Sequence, residues 1–346
     1  MAMNPLYPKL SKLLSLTLAA GLAIAAPLRA DMNSDLAFTA FAGKPVDIDS
    51  LAGGQIQQER GSLLDFQRGI SVQSLYIIDA APVDVAHKLL TWTPANHSEL
   101  KVWMHLSLPA KPTAADFSGL GTLPDNGSVG YLLNGTANLD PDNPSLQISK
   151  AEAQGITALK AQNLDKKTLF VDFWSQVLAG RIDNFLGDKF ATANYAISGG
   201  DILPFNEITS LIRSDPKVYA DYHPLFSQTP LYASSKLAPA DLYYECFDVE
   251  DYSTLGTGAI YQITNGTAIQ SADIEFYLCS GIYADVELEK IWPVTVNGKT
   301  ETLVWREDLI STANVAYLHG MERLASISLM LQDVQQGVNA FRAEFK

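Results

Sequence analysis

Side chains that commonly carry chemistry are scarce here: 346 residues hold two cysteines and five histidines, and only 18% of positions are charged. Two cysteines cannot staple a chain of this size, so the fold must rest on its apolar core. No C-x-x-C, H-x-x-x-H or H-E-x-x-H spacing occurs, which removes a zinc site built from a local motif. G-x-S-x-G, G-x-G-x-x-G and the P-loop are equally absent, so a nucleophile elbow and a nucleotide cofactor have no support. The acids at 138–143 lack the glycine and terminal glutamate of a calcium loop. Neither cofactor nor metal is therefore expected. Basic residues are few as well. Lys and Arg total 24 against 38 Asp and Glu, a net charge of −14, which argues against nucleic acid and anionic lipid surfaces as partners.

Long apolar runs are missing except at the N-terminus, which excludes a polytopic membrane protein. There, Lys9 and Lys12 precede an uncharged, Leu- and Ala-rich run at 13–26, shorter than the roughly 20 residues needed to span a bilayer. With Leu28-Arg29-Ala30 before Asp31, residues 1–30 read as a signal peptide, and the protein is expected to be periplasmic or secreted, with no stable membrane insertion after cleavage. An oxidising compartment permits one disulfide, Cys246–Cys279, and both cysteines lie in neighbouring strand-like segments.

What is abundant is apolar: 47% of residues, enough for one large or two ordinary domains. Residues 31–70 show little periodicity and form an irregular lead-in. The run at 71–78 reads as a strand, Pro82 opens a helix with Val85, Ala86, Leu89 and Leu90 inward, and 101–108 alternates strictly as a half-buried strand. Prolines and glycines break up 109–147 into loop or short hairpin. Ser149 and Glu152 stand at capping-box spacing before a helix at about 150–163, and a second helix is expected at 168–186. A strand at 190–198 and short helices at 206–213 and 217–222 follow. Asn265-Gly266 and Asn297-Gly298 each sit between strand-like runs, so an antiparallel meander of four or five strands spans 242–310. Finally Leu324, Ile327, Leu331, Val334, Val338, Phe341 and Phe345 step by three and four along an uninterrupted helix at 314–345, whose first half, apolar nearly all round, should be covered on most sides.

Tyr76 to Pro82 before the first helix, Trp92 to Val102 after it, and the terminal helix occur in an order that resembles the helix-grip fold of the START-like superfamily. That resemblance covers 71–108 and 243–345. It implies an α+β fold in which a curved antiparallel sheet packs on a long C-terminal helix, here with a partly helical middle insertion at about 110–240, all within one domain at 71–346. Members of that superfamily bind lipids, sterols and other apolar molecules, and some are cyclases or hydrolases. The superfamily has no diagnostic catalytic motif, so no residue role transfers by position.

Candidate residues are few. Tyr261 and Tyr277, from a cluster of tyrosines in the meander, have the apolar body and polar tip that suit a binding cavity, although half-buried strands favour Tyr for packing alone. Arg306 and Glu307 interrupt the apolar strand 303–310; an exposed edge pair is the plain explanation, a ligand-facing Arg306 the functional one. Met321 and Leu324 on the terminal helix complete the expected ligand-binding set. His97 and Glu99 have the types needed for a general base and its orienting acid but sit in a loop, where solvation explains them. His87 reads as surface, and His105, on the polar strand face, as solvent-facing. His319 with Glu322, joined by His223 or Asp201, lacks a metal-ligand pattern, and Cys279-Ser280-Gly281 and the 198–201 turn need be no more than turns. The expected function is cofactor-free binding of a small apolar or amphipathic ligand between sheet and terminal helix. An exported hydrolase with an acid/His site, or a non-enzymatic envelope interaction protein, are the alternatives. With no catalytic signature, enzyme status stays open and leans towards none.

Overall fold

The described residues build an eight-stranded antiparallel sheet with helices on both faces. The computed structural model describes residues 46–346 apart from 62–63, 126, 198–199, 233–236 and 251. The expected signal peptide lies outside the described residues, as does the start of the 31–70 segment. The rest of that segment is not wholly irregular. It forms a short helix α1 (Ile48–Ala52) and a strand β1 (Gln57–Arg60), followed by β2 (Gly69–Ile78).

Helix α2 (Pro82–Thr91) starts on Pro82, whose fixed φ and missing N–H suit a first helical position. Strand β3 (Val102–Leu108) comes next. The segment expected to be loop is instead helical. A 3-10 helix over Ala114–Thr122 opens on a Thr113/Asp116 capping box, and α3 (Gly127–Ala137) follows. The prolines fall at the ends of these helices rather than inside them, so they delimit helices instead of preventing them. Helix α4 (Lys150–Lys160) carries the expected Ser149/Glu152 capping box, and α5 (Lys166–Leu186) is capped by Asp165. A two-stranded ribbon, β4 (Tyr195–Ile197) with β5 (Gly200–Ile202), and helices α6 (Pro204–Ile212) and α7 (Pro216–Phe226) complete the insertion.

The meander is five strands: β6 (Asp241–Val249), β7 (Tyr252–Asn265), β8 (Ala268–Leu278), β9 (Ala284–Val296) and β10 (Lys299–Ser311). The sheet order is β1-β2-β10-β9-β8-β7-β6-β3. In the β9–β10 hairpin the two loop residues are Asn297 and Gly298, both at positive φ, as a type I′ turn requires. In the β7–β8 hairpin Asn265 still pairs with Ala268, so the loop is Gly266-Thr267, with only the glycine at positive φ.

The terminal helix is not continuous. A short turn α8 (Ala313–Ala316) is separated from α9 (Met321–Ala343) by Gly320, whose φ of 56° no helix continues through. The break turns the first half of α9 outward: Met321 is 80% and Leu329 61% exposed, so that half is not covered as its composition implied.

Strand alternation divides the sheet between two layers. Leu75, Tyr244, Leu255, Ile274, Phe276, Trp292 and Trp305 face the insertion helices in the larger core. Phe276 stacks on Phe185 of α5 at 3.9 Å, and Trp174 donates to Thr136 Oγ1 at 2.9 Å. The opposite face packs Val72, Tyr76, Ile291 and Val304 against Val85 of α2 and Val334, Val338 and Phe341 of α9. No helix among the described residues is long and apolar enough to cross a membrane.

The Cys246–Cys279 disulfide is not formed; both are buried free thiols. Cys246 pairs with Leu255 of β7, and Leu255 in turn accepts from the Cys279 N–H, so a whole strand lies between them. Two strand spacings are about 9.6 Å, beyond the roughly 7 Å Cα limit for a disulfide.

Candidate functional site

Two adjoining cavities lie between the sheet and α9. The outer one, about 650 Å³, has an apolar wall of Ile70, Phe247, Val249, Ile310, Met330 and Val334. The inner one, about 260 Å³, is walled by Leu89, Trp92, Leu100 and Ile260, with Gly337 of α9 above. Leu100, Phe247, Asp285, Arg306 and Asp308 border both.

The floor of the inner cavity is acidic. On β9 the sequence D-V-E-L-E alternates, so Val286 and Leu288 enter the larger core while Asp285, Glu287 and Glu289 point the other way. Register aligns them with further acids. Glu287 stands between Asp308 of β10 and Asp273 of β8, and Asp285 stands beside Glu275. Glu245 of β6 adds a seventh carboxylate. Like charges directly opposite one another across strands are destabilising, so this arrangement costs stability unless protons or a cation neutralise it.

Among the described residues that line the inner cavity, Arg306 and His105 are the groups that can offset the acids. Arg306 pairs with Glu289 in register and forms ion pairs with Glu287 and Asp308. Burial opposes its charge, but Asp308 and Glu287 outweigh burial and raise its pKa well above the ordinary value. His105 Nδ1 lies 2.9 Å from Glu245 Oε2, and its ring stacks on Tyr243 at 4.6 Å. Burial disfavours the imidazolium, yet the Glu245 hydrogen bond and charge prevail and its pKa is raised. Tyr243 donates to Asp273 Oδ1 at 2.8 Å. Gly258 makes room for that ring, since a Cβ there would come within 2.2 Å of it.

Burial pushes the carboxyls up. Asp273 rises to about 6 despite the Tyr243 donor, and Glu289 to about 7 despite Arg306. Glu275, Asp285 and Glu287 are also raised well above the carboxylate range, first by burial. Neighbouring acids reinforce the effect for Glu275 and Asp285, while Arg306 opposes it for Glu287. The Glu275 carboxyl hydrogen-bonds that of Glu245, and Glu289 that of Glu287, yet among the described residues Glu275 Oε1 and Glu289 Oε1 have no donor of their own, although these residues are only 7% and 3% exposed. Among the described residues no three His, Cys, Asp or Glu side chains are grouped as a metal ion would need.

Comparison with protein-family models, curated proteins and solved structures returns no match for this chain.

Of the residues singled out from sequence, Arg306 lines both cavities. It is not part of an exposed edge pair. Strand β10 is internal to the sheet, and Glu307 points to the opposite face, where Gln73 donates to it at 3.1 Å. Tyr261 and Tyr277 lie in the larger core, on the face away from the cavities, and Arg181 covers the Tyr277 ring at 4.6 Å. Met321 and Leu324 are exposed and border neither cavity. His105 faces the inner cavity rather than solvent because the loop at 92–101 and α9 cover that strand face. His97 bridges to Glu344 at 3.0 Å and sits 3.7 Å from Glu99, tying the loop to the end of α9. Sequence reasoning missed the seven carboxylates. Their signal was the acid–apolar alternation of 285–289, which equally describes a strand face in water.

Proposed function

We propose that the protein binds a small amphipathic molecule between sheet and terminal helix, its apolar body in the outer cavity and its polar end at Asp285, Arg306 and Asp308. The observation that carries this reading is the 650 Å³ cavity itself, apolar on one wall and opening at its base onto charged groups. In volume it falls within the range of small-molecule sites. The arrangement of antiparallel sheet, covering helix and intervening cavity supports a helix-grip-like carrier, and the leader at 1–30 supports export to the periplasm or beyond. No reacting constellation is needed for this role.

Native mass spectrometry of the protein purified without detergent, with solvent extraction of the same sample, tests the reading. A stoichiometric small amphipathic molecule is expected, and Ser326→Trp, which places an indole in the outer cavity, should lose it. A bare protein whose mass and melting temperature stay unchanged across a lipid and fatty-amine panel would overturn it.

A further inference from the structure

The inner cavity is more specific than a polar end requires. Cross-strand neighbours make its floor: Asp308–Glu287–Asp273, Arg306–Glu289–Ser271, and Asp285–Glu275, the last continued by Ile310 in the outer cavity. Strand β6 adds Glu245 and Tyr243, β3 adds His105, and β2 sets Ser74 opposite Arg306 with Tyr76 alongside. From α9 the inner cavity receives Gly337, which brings no charge, while Asp333 and Gln336 border the outer one. Glu99 and Lys101, from the loop before β3, also border the outer cavity. Arg306 is already engaged by Glu287 and Asp308, and His105 by Glu245. Glu275 Oε1 and Glu289 Oε1 are left as buried acceptors without donors, lining this cavity. An unmet carboxylate oxygen in a dry site costs free energy that a donor bearing positive charge removes. The donor must also fit aromatic walls, for Trp92, Tyr243 and Phe247 border the same space, and aromatic faces attract organic cations.

We infer that the inner cavity recognises a protonated amine, so that the bound molecule is a cationic amphiphile whose ammonium group donates to Glu275 and Glu289 while its chain occupies the outer cavity. This rests on the amphipathic-ligand reading and names the class of its head group. The carboxylates are spread over four strands, so an organic ammonium, which needs acceptors at hydrogen-bond distance rather than a tight coordination shell, suits them. Binding replaces carboxyl protons with the ammonium charge, so affinity rises with pH while the amine stays protonated.

The probes are decylamine, decan-1-ol and decanoate, titrated by calorimetry into the purified protein below their self-association concentrations. Decylamine is expected to bind at least about tenfold tighter than either analogue at pH 8, about 1.4 kcal/mol. Its advantage should shrink at pH 5 and vanish in the Glu275→Gln/Glu289→Gln double variant. In Gly337→Phe, where a Cβ meets nothing within 4 Å and a ring fills the cavity, the amine preference should also vanish while decan-1-ol still binds. Equal affinity for the alcohol or the decanoate, or an amine preference that survives the double variant, would overturn the inference and leave the amphipathic reading standing. If no decyl compound binds, butane-1,4-diamine decides: saturable, Glu289-dependent binding keeps the amine site and discards the amphipathic reading, and its absence discards both.

Discussion

The two faces of the sheet are built from the same strands and solve opposite problems. Towards the insertion, Trp174, Phe185, Phe276, Trp292 and Trp305 pack a dry aromatic layer. Two close ion pairs lie there, Arg181 with Glu152 at 2.5 Å and Lys290, 2% exposed, with Asp221 at 2.9 Å, while one buried acid, Glu307, is held by Gln73 at 3.1 Å. Towards α9, seven carboxylates face two cationic groups across a cavity. One face supplies stability, and the other carries uncompensated charge that only protons or a ligand relieve. A fold can hold so unfavourable an arrangement because the cost falls on one layer while the other layer stays intact.

The largest effect should come from the dry layer. Trp174→Ala removes a fully buried indole and leaves the Thr136 hydroxyl without its donor, so a loss of about 3–5 kcal/mol is expected from denaturant unfolding. Arg306→Met is the counterpart on the acidic face. It leaves Glu287 and Asp308 buried without their cation, and a loss of about 3 kcal/mol at pH 8, smaller at pH 5, is expected in the same assay. Equal losses at both pH values would place those acids in water rather than in a covered cavity.

Both faces should respond to pH in the same direction, with more groups contributing on the α9 face. Asp273 and Glu289 keep protons in the native chain up to about pH 6 and 7, whereas unfolded carboxylates release theirs near pH 4. Glu307, raised mainly by burial to about 8 on the insertion side, adds to the same trend. Between pH 4 and 8 the native state therefore holds more protons than the unfolded state, and stability falls as pH rises. The raised His105 acts in the same sense, since its favourable pairing is lost as pH climbs through its folded value. Thermal unfolding should show a higher midpoint at pH 5 than at pH 8, and Glu289→Gln should flatten the slope and raise the midpoint at pH 8. A midpoint rising from pH 5 to pH 8 would contradict the acidic cavity. The smallest effect belongs outside both layers: Met321→Ser, at an 80% exposed position that borders neither cavity, should change stability by less than about 0.5 kcal/mol.

The aromatic layer was legible in the sequence and the acidic one was not. Periodicity located β2, α2, β3, α5 and the meander, because each buries an apolar stripe whose period reports its geometry. The helices over 114–137 were hidden by prolines that sit at their ends and by glycines (Gly119, Gly121, Gly130, Gly135) that the helices carry inside them. The break at Gly320 was hidden too, since no proline marks it and the apolar steps resume at Leu324. The candidate site was missed for a deeper reason. Asp285, Glu287 and Glu289 alternate with apolar residues just as a solvated strand face does. What makes them a site is α9 and the 92–101 loop lying over them, a tertiary fact that no local pattern carries. The expected Cys246–Cys279 bridge failed because β7 lies between the two cysteines in the meander, in sequence as in space.

The most direct measurement is the titration of individual Asp and Glu side-chain carboxyls by carbon-13 NMR on the ligand-free protein. Asp273 near 6 and Glu289 near 7, with Glu275, Asp285 and Glu287 also well above the carboxylate range, are expected, and all should fall when decylamine is added. If every one of these carboxyls titrates between about pH 3 and 5, as solvated acids do, the α9 face encloses no acidic cavity.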